Sequence, residues 1–175
     1  TIQSGTGVAG ASLSGVTTVS TASGVATFSG LSIDKAGSGY TLTLSSLGLT
    51  SSVTSAFDII PAGAVTLAFK IHPQGGIAGD TSALSSTVVI TDGLGNIVTD
   101  ASADIVLTIT PRTGDPSAEL LGTVVVAAVN GVALFDAVRI ENAASGYSLT
   151  AYAFLNDLLP TTLIPISKSP SAALQ

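Results

Sequence analysis

Gly131 to Tyr147 reads G-V-A-L-F-D-A-V-R-I-E-N-A-A-S-G-Y, and Gly24 to Tyr40 reads G-V-A-T-F-S-G-L-S-I-D-K-A-G-S-G-Y. The two stretches lie at one offset: 131 minus 24, and 147 minus 40, both give 107. At that offset the first 60 or so residues align without a gap onto the last third of the chain. Thr1 meets Thr108, Gly7 meets Gly114, Gly15 meets Gly122, Phe28 meets Phe135 and Ile59 meets Ile166. About one position in three is identical, and most others keep their apolar or polar character. A fixed period marks a repeat, and a period near ~100 residues is the size of one β-sandwich rather than one solenoid turn. The expected organisation is therefore the back part of one repeat (1–62), a complete repeat (63–170) and a short tail (171–175).

Composition agrees with an all-β chain. Hydrophobic residues make up 46% and charged residues only 9%, against roughly 25% charged in an average soluble domain. Thr, Ser, Val and Gly dominate, a strand-and-turn mixture too apolar for a disordered chain. Gly, Ser, Thr or Pro interrupts every apolar run, so no membrane-spanning segment is expected. The net charge of −6, with five basic residues, argues against nucleic acid and against anionic lipid surfaces. Cysteine is absent, which excludes a disulfide frame, a thiolate metal site and a cysteine nucleophile.

Turn signals divide the chain into short strands. In the first repeat, strands are expected over 17–21 and 25–29, separated by a turn at Ala22-Ser23-Gly24. Leu31 and Ile33 continue the alternation, and Ala36 to Gly39 reads as a turn. Residues 40–44 alternate with period two, placing Tyr40, Leu42 and Leu44 on one face. Residues 56–60 form the last strand, and Pro61 to Ala64 the linker. In the second repeat, strands are expected over 67–71, 86–92, 103–110, 120–129, 132–138, 147–154 and 161–166. Hairpin turns are expected at Asp92 to Asn96 and at Asn130-Gly131, and Pro111 stops the third strand. Residues 155–159 allow one helical turn at most. Seven strands in about 100 residues fit an antiparallel sandwich.

No constellation of polar residues converges on a catalytic role, so an enzyme is not expected. Asp92, Asn96 and Asp100 have the oxygen chemistry of a Ca²⁺ site, but Asp and Gly also build hairpins without metal; turn chemistry is the preferred reading. Asp115, Glu119 and Asp136 are scattered. His72, the sole histidine, is expected at the surface before Pro73. Phe28 and Phe135 both follow Gly-Val-Ala and are expected in cores. No site residue, metal or cofactor is assigned. Asn-x-Ser/Thr sequons are absent, while the many Ser and Thr leave O-linked glycans open.

The segments D-G-L-G-N at 92–96, N-G-V-A-L-F at 130–135 and A-S-G-Y-S-L-T-A at 144–151 resemble bacterial immunoglobulin-like repeats of the invasin and intimin type. The first repeat is similar to modules of very large bacterial secreted or surface-anchored proteins. The resemblance implies tandem immunoglobulin-like antiparallel sandwiches, the first lacking its N-terminal strands, at a cell surface or secreted. It implies that Tyr40 and Tyr147 form tyrosine corners, with the hydroxyl bonded back to backbone. It also raises a Lys70–Asn156 isopeptide bond, disfavoured because Asn156 is on no obvious final strand.

Counterparts of residues 64–107 are missing from the first repeat, which should leave an apolar face and open edges. Either those strands precede Thr1 in a longer protein, the preferred expectation, or a neighbouring molecule supplies them. Three functions follow. The first is a non-enzymatic structural module, a rigid bead in an extracellular stalk or fibre, with neighbouring repeats or copies of itself as partners. The second is a self-assembling filament subunit completed by strands of another copy. The third is an adhesin module binding a glycan or receptor.

Overall fold

The structure is a computed structural model that describes residues 1–80 and 84–155. Its described residues contain β-strands and no α-helix, and every strand pair is antiparallel. The chain divides into two compact units, Thr1–Pro61 and a second from Ala62 onward.

The first unit holds six short strands: β1 (Leu13–Ser14), β2 (Ser32–Ile33), β3 (Gly37–Tyr40), β4 (Thr43–Leu44), β5 (Ser52–Val53) and β6 (Phe57–Ile59). They pair two by two, β1 with β2, β3 with β6 and β4 with β5. The expected turn over Ala36 to Gly39 is instead strand from Gly37, paired with β6 across a register shift between Gly37 and Tyr40. Gly39 donates its N–H to Asp58 Oδ1 at 2.8 Å within that irregular stretch, so side-chain chemistry replaces a regular ladder. The strands expected over 17–21 and 25–29 do not form; only an isolated Ala22–Val25 bridge marks their turn.

The second unit supplies the reason. Its described strands are β7 (Thr66–Ile71), β8 (Ser86–Thr91), β9 (Ala103–Ile109), β10 (Leu120–Gly122), β11 (Val125–Ala127), β12 (Val132–Phe135), β13 (Val138–Ile140) and β14 (Leu149–Leu155). One sheet has the order β12-β8-β7, another β11-β9-β14, and β10 pairs with β13. Leu67, Val88, Ile90 and Phe135 from the first sheet pack with Ile105 and Leu149 from the second, all within one core. The unit is thus sandwich-like. β8, the central strand of its sheet, is buried at all six positions. Subtracting the offset of 107, β11 and β12 correspond to residues 18–20 and 25–28. Their partners β9 and β8 fall almost wholly within the part that the first repeat lacks. A strand without a ladder partner has no hydrogen-bonding reason to persist as strand.

The strand expected over 120–129 is two strands. Gly122 takes φ +96°, and a side chain there would strike the carbonyl oxygen of Ala137. The chain bends at Gly122 and passes from β13 to β9 as its partner. The strand expected over 132–138 also divides, into β12 and β13. The Asn130-Gly131 turn forms as expected, with φ +51° and +72° and a Val129–Val132 bridge. The expectations for 161–166, for most of 155–159 and for Asn156 fall outside the described residues.

Candidate functional site

Asp92 is buried to 2% relative exposure at the end of β8. Its Oδ1 accepts the N–H groups of Leu94 and Asn96, both at 2.9 Å. Its Oδ2 accepts Asn96 Nδ2 at 3.0 Å and the Ala62 N–H at 3.1 Å. Four donors occupy the four lone-pair directions of a carboxylate, so the group closes the hairpin and holds Ala62, the first residue of the second unit, against the end of β8. The Asn96 side chain first, then the backbone donors, hold the carboxyl at about 2 against burial, which opposes them. Asp100 is exposed, and among the described residues no three His, Cys, Asp or Glu side chains come together in a metal-holding group.

The other sequence-stated residues do not converge. Asp115 caps its own loop by accepting Ser117 Oγ at 2.7 Å and Ser117 N–H at 2.8 Å, and the Ser117 bonds lower its pKa. Glu119 and Asp136 are exposed. His72, expected at the surface, is half-buried and stacked on Phe69 with ring centroids 5.6 Å apart. Lys70 is exposed, a poor setting for an isopeptide bond that needs a desolvated amine beside an acid. A hollow of about 100 Å³ lies beside Ile77, Asp80, Leu84, Ile140, Asn142 and Tyr147. Tyr147 spends its hydroxyl on the backbone, and among the described residues no nucleophile–base pair faces the hollow. The Ser86 hydroxyl is buried without a hydrogen-bond partner among the described residues, a single group with no reactive neighbour.

What the two units do share is one local geometry, repeated at the offset of 107. Tyr40 donates its hydroxyl to the Lys35 carbonyl at 2.8 Å, and Tyr147 donates to the Asn142 carbonyl at 2.9 Å. Beneath the rings lie Gly7 and Gly114, where a Cβ would strike the tyrosine ring in each case. Thr6 and Thr113 hydroxyls donate to Gln3 and Thr110 carbonyls at 2.8 and 2.7 Å. The same hydroxyls accept the N–H of Thr41 and Ser148, both at 3.2 Å. Leu13 pairs with Ile33 as Leu120 pairs with Ile140. The bridge Ile2–Leu42 matches the register pair Ile109–Leu149.

The units differ on one face. In the second unit Ala133, Phe135, Val138, Leu149 and Ala151 are buried to 1% or less. Their counterparts Phe28, Leu31 and Leu42 are half-buried, Ala26 is exposed, and Leu44 is 41% exposed. Val25, whose counterpart Val132 pairs with Val89 of β8, is 63% exposed. The first unit therefore presents an apolar surface together with backbone at 26–28 that has no ladder partner among the described residues. Sequence reasoning anticipated an exposed face but expected Phe28 in a core; its missing neighbours belong to the uncounterparted strands. No protein family, curated protein or solved structure matches the chain.

Proposed function

We propose that the chain is part of a tandem array of immunoglobulin-like sandwiches and acts as a non-enzymatic structural module of an extracellular stalk, fibre or surface protein, similar to bacterial invasin- and intimin-like repeats. The observation that carries this reading is the duplicated set of hydrogen bonds around Tyr40 and Tyr147. A site evolved for one ligand has no need to occur twice with identical supporting contacts, whereas a load-bearing repeat does. The satisfied carboxylate of Asp92 supports the same reading, because its four donors leave neither oxygen free for a ligand.

The test is sedimentation velocity and negative-stain microscopy of the chain across a concentration series, with Ca²⁺ titration and a glycan array alongside. The expected result is a sedimentation coefficient independent of concentration and no uptake of either ligand. Regular filaments would favour the second reading, a self-assembling subunit, which draws its support from the exposed face of the first unit. Saturable glycan or Ca²⁺ binding would overturn both in favour of an adhesin module.

A further inference from the structure

We infer that the exposed face of the first unit is the seat of a three-stranded segment with the chemistry of β7-β8-β9, carried by the same polypeptide and running directly into Thr1. This deepens the proposed reading and rests on its tandem order. The second unit supplies the register: Val132 to Phe135 pair with Val89 to Ser86, and Leu149 to Leu155 pair with Ile109 to Ala103. Transferred by 107 residues, a β8-type strand lies antiparallel to 25–28. A β9-type strand then lies between 18–20 and 42–48.

The occupant's chemistry follows from what the face offers. Ala26, Phe28, Leu31 and Leu44 need apolar side chains, and residues 26–28 need a backbone that donates and accepts in alternation. β8 meets both needs with S-T-V-V-I-T, six uncharged and buried residues. A glycan would satisfy neither, and a helix has no free backbone groups for the edge.

The source follows from Thr1. Its N–H group donates to the Thr43 carbonyl at 3.0 Å, and its carbonyl accepts the Thr43 N–H at 2.8 Å. Thr108 pairs with Thr150 at the equivalent place, in the interior of β9. Thr1 thus already occupies a mid-strand position, and a β9-type strand beside 42–48 is its straight continuation. A second copy would have to surrender its own β7, β8 and β9, and with them Leu67, Val88, Ile90, Ile105 and Leu107 of its core.

The experiment adds a second copy of residues 62–107 directly ahead of Thr1 of the full chain, without a linker. Amide hydrogen exchange at 18–28 and 42–48 is compared with that of the original chain, with the second unit as internal reference. The expected result is slowing by at least about a hundredfold at 25–28, at every protein concentration. Val88→Asp in the added copy alone should abolish the slowing. Phe28→Ala is the second measurement: it should lower the denaturation midpoint of the extended chain but not that of the original. Unchanged exchange at 25–28, or an equal effect of Phe28→Ala in both chains, overturns the inference. So does protection that arises in the original chain as its concentration rises, which would make a second copy the occupant. Glycan or Ca²⁺ binding would sink the structural-module reading while leaving the exchange result untouched.

Discussion

Phe28 and Phe135 follow the same Gly-Val-Ala, yet Phe135 is buried to 0% and Phe28 is only half-covered. The Tyr40 and Tyr147 corners, by contrast, are alike in hydroxyl partner, in distance and in the glycine beneath the ring. The difference separates two kinds of sequence information. A tyrosine corner is closed by residues within a few dozen positions that both units possess. The burial of Phe28 depends on strands that only the second unit possesses. Local geometry can therefore be complete while the core above it is not.

The largest test of that contrast is the pair Phe135→Ala and Phe28→Ala in the 175-residue chain. The first should cost about 3–5 kcal/mol through the cavity it leaves in the second unit. The second should cost less than about 1 kcal/mol, because the ring already borders solvent. Denaturant melts read by hydrogen exchange within each unit would resolve the two; equal losses would contradict the exposed face.

A second test concerns acid. The Asp92 carboxyl, in the second unit, is held at about 2, below its ordinary value of 3.8. A depressed folded-state pKa contributes stability that is complete above the unfolded value and disappears as pH falls through the folded one. The second unit should therefore lose stability between about pH 4 and pH 2, and Asp92→Asn should flatten that slope. Thermal melts at half-unit pH steps decide it; an unchanged slope in the variant would assign the acid sensitivity elsewhere.

Smaller effects should be equal between the units or absent. Tyr40→Phe and Tyr147→Phe each remove one hydroxyl-to-carbonyl bond and should cost about 0.5–1.5 kcal/mol, the same within error in both units. A large cost in only one would break the equivalence of the corners. The Arg139–Glu141 pair, at 3.3 Å with side chains 37% and 59% exposed, should matter least. Arg139→Ala is expected to shift stability by less than about 1 kcal/mol, less still in high salt.

The legibility of the fold follows the range of the contacts involved. The Asn130-Gly131 turn, the strand end at Pro111 and the Asp92 hairpin are set by residues within four positions of each other, and the sequence states them. The division of 120–129 at Gly122 was not legible, because the cause is the carbonyl of Ala137 on a neighbouring strand. His72 beside Phe69 was not legible either, since a stack of this kind depends on how the chain turns after β7. The preference for turn chemistry at Asp92 came from residue type, but the four donors that fill its carboxylate include Ala62, thirty residues away.

The sequence by itself determined the all-β class, the repeat at an offset of 107 and the duplicated tyrosines, because alternation, turn residues and identity are local or countable properties. Only the tertiary structure decided which of the repeated residues are covered. Val25 to Phe28 spell a strand as well as Val132 to Phe135 do, but a strand is held by its neighbour, and β8 is that neighbour for Val132 to Phe135, while the first repeat has no counterpart of β8.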